Sequence, residues 1–402
     1  MTGDVRGLPM GGALEGIKVL DLTSYIAGPF ATMLLGDLGA EIIKIEQPVT
    51  GDMFRRWDQE PKLYSPLFRS FNRNKKSATL NLASPEGKKI FASLVKTADV
   101  IVENFRPGVV DRLGIGYEPM SAINPRIIYC SISAFGQEGP YKEKPGYDTI
   151  GQALSGLLSL LTDVKAPHGP GAPFSDHLGG LYGCYGVLAA LMARERTGQG
   201  QKVETSLVEA TMSFIGYAIT QFLDTGQVPN MVSRLHQAQV YAFVAQDNLP
   251  FVIHLSHPKK FWEGLTQAVG RIDLRDDSRF TDDVLRERNY DALRGILEPI
   301  MRQKPRDQWI ATLEKNDVPC SPIRRVDELC GDPQIRHLDR FVQVEDPKLG
   351  RSNFVKNGAN LSATPTAIAS RPPTLGEHNK EILSTLGYSE QDIEKMRASG
   401  II

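Results

Sequence analysis

"GIKVLDLTSYIAGPFATMLLGDLGAEIIKIEQP" (residues 16–48) contains two short apolar runs on either side of a helix-like segment. Ile17 to Leu22 predicts a buried strand, Gly28 to Leu38 a helix, and Ile42 to Glu46 a second strand. Two strands connected through a helix run parallel, because the helix returns the chain to the starting end of the sheet. The segment therefore predicts a βαβ unit.

The same alternation continues along the first half of the chain. Apolar runs at 98–105 and 125–133 each follow a helix-like stretch, as in "SPEGKKIFASLVKT" at 84–97. Strands that alternate with helices and carry near-continuous apolar runs are typical of a parallel sheet covered on both faces. We therefore predict an α/β protein with a doubly wound parallel sheet.

The character of the sequence changes near residue 228. Two extended runs flank Asp247 and Asn248, a pair typical of a hairpin turn, and helix-like stretches follow them. The last segment carries a strand-like run, a proline-rich stretch and a helical tail. We predict a large domain over residues 1–225, a small α+β domain over 226–330, and a return segment over 331–402 that completes the large domain.

Length and composition limit the functional classes. A chain of 402 residues exceeds the size at which a single core usually stops growing. A formal net charge of -1 gives no argument for nucleic acid or an anionic membrane as a partner. The first residues lack a signal peptide, the most apolar run is too short for a membrane span, and the four cysteines are scattered. A cytoplasmic protein with reduced thiols is therefore expected.

Common cofactor and metal motifs are absent from the sequence. The turn after the first strand, "TSYIAGP", has one glycine where a dinucleotide fingerprint needs G-x-G-x-x-G. The seven histidines show no metal-site spacing, the cysteines form no C-x-x-C pair, and no G-x-S-x-G elbow occurs. Dinucleotide-dependent redox chemistry, metal catalysis and serine hydrolysis are therefore not indicated.

One acid, Asp176, precedes a helix-like run in "GAPFSDHLGGLYGCYGVLAALMARERTGQG" (residues 171–200). Aspartate just before a helix is a good N-cap, which accepts backbone N–H bonds for about 1 kcal/mol. A carboxylate at the same place is also kept ionised by the helix dipole, and Gly179 and Gly180 leave room for a substrate. The local pattern leaves both a structural and a functional role open.

Two clusters of basic residues lie near predicted strands. Arg73, Lys75 and Lys76 precede a short strand, whereas Arg106 and Arg112 follow the end of another. Ligands of open α/β sheets bind at the carboxyl ends of the strands, where such cations could hold phosphates. Solvated surface charge is the alternative explanation for each of them.

Six stretches carry a resemblance to a known family: residues 16–52, residues 72–118, "GYDTIGQALSG" (146–156), residues 171–200, "DVPCSPIRRVDELCGDPQ" (317–334) and "PTLGEHNKEIL" (373–383). Together they closely resemble the class III CoA-transferases, also called the CaiB/BaiF type. The family includes formyl-CoA transferase, carnitine CoA-transferase and α-methylacyl-CoA racemase. The resemblance spans nearly the whole chain in order.

This resemblance implies a CoA-transferase with Asp176 at the position of the family's nucleophile. Its carboxylate would attack an acyl-CoA thioester, giving a mixed anhydride and CoA thiolate, and the thiolate would then form an aspartyl-CoA thioester. A free carboxylic acid would accept the CoA, and no metal, nucleotide or redox cofactor is implied. The implied CoA or thioester contacts are Ile26, Ala27, Leu80, Asn81, Leu82, Ala83, Asn104, Phe105, Arg106, Arg112, Pro145, Gly146, Tyr147 and Asp148.

Tyr147 occupies the position that separates two branches of the family. The racemase branch has histidine directly before the aspartate of "GYD", where it serves in α-proton transfer. Tyrosine resembles the transferase branch, although many transferases have glutamine where Ile26 stands and arginine where Gln47 stands. Residues 225–265 also lack the consecutive glycines of the mobile loop in formyl-CoA transferase, so oxalate is not a favoured acceptor. A racemase and a non-catalytic CoA-binding protein are the alternatives.

The resemblance also implies the architecture and the assembly. The large domain would be Rossmann-like and built from both ends of the chain, and the small domain would be α+β. Two chains would interlock like links in a homodimer, with the active site between the large domain of one and the small domain of the other. Acyl-CoA and a carboxylic acid are the expected partners, and neither nucleic acid nor a membrane is expected.

Overall fold

A computed structural model describes residues 11–57, 64–256, 258–346 and 350–402. The chain forms two compact units, each with an apolar core of its own. The first comprises the described residues of Met1–Leu158, Gly169–Tyr217 and Arg340–Ile402, and the second those of Ser159–His168 and Ala218–Asp339. The first unit thus combines segments from both ends of the chain.

The first unit is built on a six-stranded parallel sheet with the strand order β3-β2-β1-β4-β5-β6. The predicted α/β class and parallel sheet are confirmed. Val19 and Leu20 pack into cores on opposite faces of the sheet, which explains why the strands carry near-continuous apolar runs. The strands are β1 (Lys18–Asp21), β2 (Glu41–Glu46), β3 (Lys75–Thr79), β4 (Val100–Glu103), β5 (Ile128–Ser133) and β6 (Lys202–Ser206).

The opening βαβ unit forms as predicted, with β1, the helix α1 (Ala27–Asp37) and β2. Its two strands pair in parallel from Lys18 opposite Glu41 to Asp21 opposite Lys44. The sheet order reverses beside β1, because β2 and β3 continue on one side and β4 to β6 on the other. Loops that leave the two central strands therefore diverge and open a crevice at their carboxyl ends.

Helices follow or precede every strand of this sheet. Short 3-10 turns occupy Met53–Arg56, Ile272–Arg275 and Val326–Gly331. The further helices of the first half and the middle of the chain are α2 (Pro66–Asn72), α3 (Pro85–Val95), α4 (Val109–Leu113), α5 (Tyr117–Ile123), α6 (Asp148–Leu154), α7 (Leu157–Leu161), α8 (Phe174–Thr197), α9 (Leu207–Phe214) and α10 (Gly216–Thr225).

The C-terminal segment covers the open edge of β3. Ser77 O accepts from His378 N at 2.9 Å, and Thr79 N donates to Asn379 Oδ1 at 2.8 Å, so backbone groups of the edge strand find partners. Ile382 and Ile393 then enter the core beneath the sheet. The elements of this segment are β10 (Phe341–Asp346), β11 (Gly350–Val355), α17 (Asn379–Thr385) and α18 (Glu390–Ala398).

The second unit contains a three-stranded antiparallel sheet with the order β7-β8-β9. The predicted hairpin forms around Asp247, and Asn248 adopts a left-handed φ of +62°, which asparagine tolerates in turns. Within the described ranges, none of the helices combines the length and apolar character that a bilayer crossing needs. The elements are β7 (Val240–Val244), β8 (Pro250–His254), β9 (Cys320–Pro322), α11 (Ser233–Gln237), α12 (Lys259–Ala268), α13 (Asp283–Arg288), α14 (Tyr290–Met301), α15 (Arg306–Lys315) and α16 (Pro333–His337).

Candidate active site

A pocket of about 170 Å³ opens in the first unit where β1, β4 and β5 end. This is the crevice at which the strand order reverses, the place where open α/β sheets bind their ligands. It is lined by Tyr25, Ile26, Ala27, Asn104, Phe105, Arg106, Pro107, Ile132, Ser133, Ala134, Lys142, Lys144, Gly146, Tyr147, Asp176 and Leu207.

Asp176 is the third residue of α8 and not its N-cap. The helix begins at Phe174, and the capping position is taken by Pro173, which makes no side-chain capping bond. The predicted capping role of Asp176 is therefore wrong. Its own backbone N–H is instead accepted by Asp148 Oδ1 at 3.1 Å, so a carboxylate at the start of α6 satisfies a backbone donor of the first turn of α8.

The Asp176 carboxylate is half-buried and poorly solvated. Among the residues that the structure describes, none donates a hydrogen bond to its side-chain oxygens. Burial raises the pKa of Asp176 to about 7, and the negative charge of Asp148 contributes in the same direction. These two effects oppose the expected influence of the helix dipole, which favours the ionised carboxylate. A carboxylate without partners is a better nucleophile than a paired one, at the cost of partial protonation near neutral pH.

Asp148 is itself held in place by two contacts. Its Oδ1 accepts from the Asp176 backbone, and its Oδ2 accepts from Gln152 Nε2 at 2.5 Å. Gln152 also donates to Ala172 O at 3.1 Å, which ties α6 to the segment before α8. The side chain of Asp148 therefore fixes the position of the Asp176 backbone while its charge acts on the Asp176 carboxyl group.

The glycines after Asp176 serve the packing of α8. A Cβ atom on Gly180 would lie 2.4 Å from Ala27 O, and one on Gly179 would lie 2.8 Å from Leu207 Cδ2. Both distances are shorter than van der Waals contact, so α8 packs on α1 and α9 through bare backbone. The prediction that these glycines leave room for a substrate is therefore wrong.

The structure brings many of the predicted site residues together and leaves the others outside. Those that line the pocket are Ile26, Ala27, Asn104, Phe105, Arg106, Gly146, Tyr147 and Asp176. Those outside its lining are Leu80, Asn81, Leu82, Ala83, Arg112, Pro145 and Asp148. Leu80 and Leu82 are buried in the core of the first unit, and Arg112 is exposed on α4.

The predicted basic cluster lies at the start of β3: Arg73 precedes the strand, whereas Lys75 and Lys76 are its first two residues. Two of the three side chains have a structural role. Arg73 forms a bidentate pair with Asp37 at 2.9 and 2.7 Å, and Lys75 Nζ donates to Asp21 Oδ2 at 2.9 Å. Arg73 and Lys75 are buried, so the expectation that they hold phosphates is wrong. Lys76 is partly exposed and bridges Glu41 and Glu381 at 2.7 Å.

Tyr25, Lys142 and Lys144 line the pocket but were not among the predicted site residues. Tyr25 adopts a left-handed φ of +69°, and its ring lies edge-on to Phe54 and Tyr147. No sequence pattern indicates that a tyrosine in a short loop will take this conformation. The "YKEK" run (141–144) does place two cations close to "GYD" (146–148), separated from it only by Pro145, and this is a sequence signal for Lys142 and Lys144.

The part of the chain that the structure describes contains no group of three or more His, Cys, Asp or Glu side chains arranged to hold a metal ion. His177, the histidine beside Asp176, packs against Phe30 and Phe71, and its Nδ1 lies 2.8 Å from Pro173 O. The pocket therefore presents a carboxylate, cations and phenols as its reactive or charged groups.

The sequence and the fold both match known proteins. The model of CoA-transferase family III matches residues 14–379. A protein of Acetobacter aceti named acetyl-CoA:oxalate CoA-transferase is 40% identical over 83% of this chain and 86% of its own length. A mouse protein named succinyl-CoA:glutarate CoA-transferase is 34% identical over 97% of this chain and 90% of its own.

A crystal structure of a CaiB/BaiF family protein from Brucella suis has the same fold, with a TM-score of 0.82 and 32% identity. The similarity covers 94% of this chain and all of that one. The similarity in fold agrees with the parallel sheet described above. The chain belongs to CoA-transferase family III and is a CoA-transferase.

Proposed function

We propose that this enzyme moves CoA from an acyl-CoA donor to a free carboxylic acid, with Asp176 as the covalent nucleophile. The observation that carries the proposal is the Asp176 carboxyl group, which lines the pocket at the strand ends and to which none of the described residues donates a hydrogen bond. Its pKa of about 7 leaves a large fraction ionised at neutral pH. This carboxylate has little hydrogen bonding to lose when it attacks.

The proposed reaction proceeds through acyl exchanges at this carboxylate. An Asp176 oxygen attacks the thioester carbonyl carbon, the C–S bond breaks, and the CoA thiolate leaves with the electron pair. The thiolate then attacks the aspartyl carbonyl carbon of the mixed anhydride, forming aspartyl-CoA and releasing the donor's carboxylate. The acceptor carboxylate repeats both steps in reverse order, which restores Asp176 and yields the new acyl-CoA.

These exchanges support the proposal that no cofactor takes part. Each step replaces one activated acyl group by another, so neither an energy source nor an electron carrier is required. Orientation of the reacting groups and stabilisation of the tetrahedral oxyanion supply the catalysis. Asp148 has a positioning role in this scheme, because it holds the Asp176 backbone through the 3.1 Å bond to its N–H.

The pocket is small for a whole CoA thioester. Its volume of about 170 Å³ lies below the roughly 300 to 1,000 Å³ of typical ligand pockets, so it would receive the reacting end of the molecule. We propose that the lining residues Ile26, Ala27 and Phe105 contact this end. The positions outside the pocket, Leu80 to Ala83 and Arg112, remain proposed contacts of the nucleotide end.

The charge of the pocket supports a dicarboxylic acid as one substrate. The lining contains three cationic side chains, those of Arg106, Lys142 and Lys144. A dicarboxylic acid brings two negative charges to these cations, whereas a monocarboxylic acid brings only one. The two relatives named above carry oxalate and glutarate in their names, both of which are dicarboxylic acids. The choice among such acids, including the prediction against oxalate, stays a prediction.

Among the described residues that line this pocket, none is the histidine that a racemase would use as its acid–base group. Tyr147 stands where the racemase branch has histidine, and His177 is held against the aromatic side chains of Phe30 and Phe71. Deuterium exchange at the α-carbon of an acyl-CoA without any acceptor acid would reveal a racemase. We expect none.

The test of the proposed function is the capture of aspartyl-CoA. Incubation with succinyl-CoA followed by mass spectrometry should show a CoA adduct on the Asp176 peptide, and hydroxylamine should convert it to a hydroxamate. Asp176→Asn should lose the adduct and about 1,000-fold or more of the transferase rate. Asp163→Asn, an exposed aspartate elsewhere, is the control. Full activity in Asp176→Asn would rule out the nucleophile.

A homodimer remains part of the proposal. One face of α8 exposes Leu181, Tyr185 and Met192, with 49%, 66% and 66% of each residue accessible. Such apolar side chains on one helix face are typical of a surface covered by another chain. Light scattering is expected to give twice the chain mass, and an interlocked arrangement and a cytoplasmic location stay predictions. A monomer at micromolar concentration would contradict the proposal.

A further inference from the structure

The loop between β1 and α1 contains a strained residue in the pocket. Tyr25 has a φ of +69°, in the left-handed region that a bulky side chain avoids at a cost of roughly 1–2 kcal/mol. Backbone strain of this kind persists only where the surrounding structure enforces it, and it is concentrated at functional sites. The contacts of the loop show how it is enforced here.

Side chains from elsewhere in the first unit bind three consecutive residues of this loop. Lys44 Nζ donates to Thr23 O at 2.7 Å. The Asn104 side chain accepts from Ser24 N at 2.9 Å and donates to Ser24 O at 2.8 Å. Asp52 Oδ1 accepts from Tyr25 N at 3.3 Å.

The side chains that bind the loop are themselves fixed. Lys44 and Asp52 are buried, with 0% and 1% of each residue accessible, and Lys44 Nζ lies 2.9 Å from Asp52 Oδ2. Asp52 also accepts from Phe54 N at 2.9 Å. The loop is therefore held by a buried ionic framework, and the backbone of Tyr25 has little freedom to relax.

This framework places the phenol of Tyr25 in the lining of the pocket that contains Asp176. The ring centroid lies 5.5 Å from that of Phe54 and 5.8 Å from that of Tyr147, both edge-on. Burial raises the pKa of Tyr25 above its ordinary value, and a side-chain hydrogen bond with Tyr147 and the charge interaction with Tyr147 add to the effect. Tyr25 is therefore a neutral hydrogen-bond donor at physiological pH, whereas the adjacent Ile26 offers no polar group. The substrate carbonyl oxygen would compete with Tyr147 for the Tyr25 hydroxyl.

We propose that Tyr25 is a further catalytic residue, whose hydroxyl donates a hydrogen bond to the acyl carbonyl oxygen when Asp176 attacks. This inference rests on the proposed function. As the new C–O bond forms, the carbonyl π electrons move onto that oxygen, and the phenol stabilises the negative charge. The electrons return when the C–S bond breaks and the thiolate leaves, so the phenol keeps its proton throughout. A donor fixed before reaction is effective because it does not need to reorganise.

The test is Tyr25→Phe, which keeps the ring and its contact with Phe54 but removes the donor. We expect kcat to fall by about 100-fold, with the KM of the acyl-CoA changed less than about threefold. Single-turnover formation of the Asp176 adduct should slow by the same factor. Tyr141→Phe, an exposed tyrosine outside the pocket lining, should leave both rates within about twofold.

Each outcome separates this inference from the proposed function. Wild-type rates of adduct formation in Tyr25→Phe would overturn the role of Tyr25 and leave the nucleophile intact. Failure of the wild-type enzyme to form any adduct would overturn the proposed function itself. An increase in KM with kcat unchanged would also contradict Tyr25 as a donor to the transition state, because it would show that the hydroxyl binds the ground state and the transition state equally.

The framework can be tested through a double-mutant cycle. Asp52→Ala removes the acceptor of the Tyr25 N–H and should lower kcat about tenfold in the wild-type background, provided thermal melting shows a folded protein. In the Tyr25→Phe background the same change should cost less than twofold, since the phenol that it positions is already gone. Additive losses in kcat would contradict the positioning role of Asp52. If Asp52→Ala does not fold, the Tyr25→Phe measurement alone decides whether Tyr25 is a catalytic residue.

Discussion

Asp21 and Asp176 are two aspartates at the same end of the first unit, and their environments differ in kind. Asp21 ends β1 and is completely buried, with Lys75 Nζ at 2.9 Å, Thr32 Oγ1 at 2.8 Å and Thr23 Oγ1 at 2.5 Å. Asp176 is less buried, yet among the described residues its carboxylate accepts no hydrogen bond.

The pKa values follow the partners and not the depth of burial. Burial by itself raises the pKa of Asp21, but the charges of Lys44 and Lys75 and the bond from Thr23 lower it to about 2. Burial and the charge of Asp148 raise the pKa of Asp176 to about 7. A carboxylate with every lone pair occupied stabilises the fold, whereas one without partners is available for chemistry at the expense of stability.

The largest expected effect comes from removing the partner of the buried aspartate. Lys75→Met should lower the free energy of unfolding by about 3–5 kcal/mol, because it leaves the Asp21 charge without its closest cation. Lys76→Met is the matched control one residue along. Its partly exposed bridges to Glu41 and Glu381 should be worth less than about 1 kcal/mol. Equal decreases in the free energy of unfolding for the two variants, measured in urea, would show that the buried Lys75–Asp21 pair contributes no more stability than the exposed bridges of Lys76.

Removing the unpaired carboxylate of Asp176 should increase the free energy of unfolding, the opposite of the effect of Lys75→Met. The pKa of Asp176 rises from 3.8 in the unfolded chain to about 7 in the folded one, so the folded state binds the extra proton between these values. Wild-type stability should therefore decrease as the pH rises through this window. Asp176→Asn should raise the free energy of unfolding by a few kcal/mol at pH 8 and by almost nothing below pH 4. A variant less stable than wild type at pH 8 would contradict this explanation.

The smallest expected effect concerns the influence of the Asp148 charge on the pKa of Asp176. Asp148→Asn keeps an oxygen for the Asp176 N–H but removes a negative charge, so the pKa of Asp176 should fall. The acid limb of the pH profile of kcat/KM, expected near pH 7, should then shift to lower pH by up to about one unit. Asp163→Asn, which removes the same charge from an exposed site, should leave the limb in place. A shift toward higher pH would refute the charge effect.

Much of the fold could be predicted from the sequence because it depends on local periodicity. Apolar runs such as Val100–Glu103 and Ile128–Ser133 alternate with helices, and a chain with that pattern can bury both faces of its strands in a parallel sheet. The position of Asp176 at the start of a helix was predictable for the same reason. That Asp176 does not cap the helix was not predictable, because the acceptor of its own N–H is Asp148, which comes from another helix.

The pocket itself could be predicted only in part. Ile26, Phe105 and Tyr147 were expected from the resemblance to a family, and they line it. Lys142 and Lys144 precede "GYD" closely in the sequence, but only the tertiary structure shows that this loop before α6 reaches the ends of β4 and β5. Gly180 was misinterpreted, since a bare backbone serves helix packing and substrate access equally well in a sequence and only the contact with Ala27 distinguishes them.

By itself, the sequence determined the parallel α/β architecture, the membership in a CoA-transferase family and the acid on which the chemistry is proposed to depend. These features follow from periodicity and from motifs, which are properties of neighbouring residues. The tertiary structure alone decided which aspartate is paired, which cations are buried, and how Tyr25 is held in the pocket. Those properties depend on desolvation and on contacts between strand ends far apart in the chain, which no local pattern encodes.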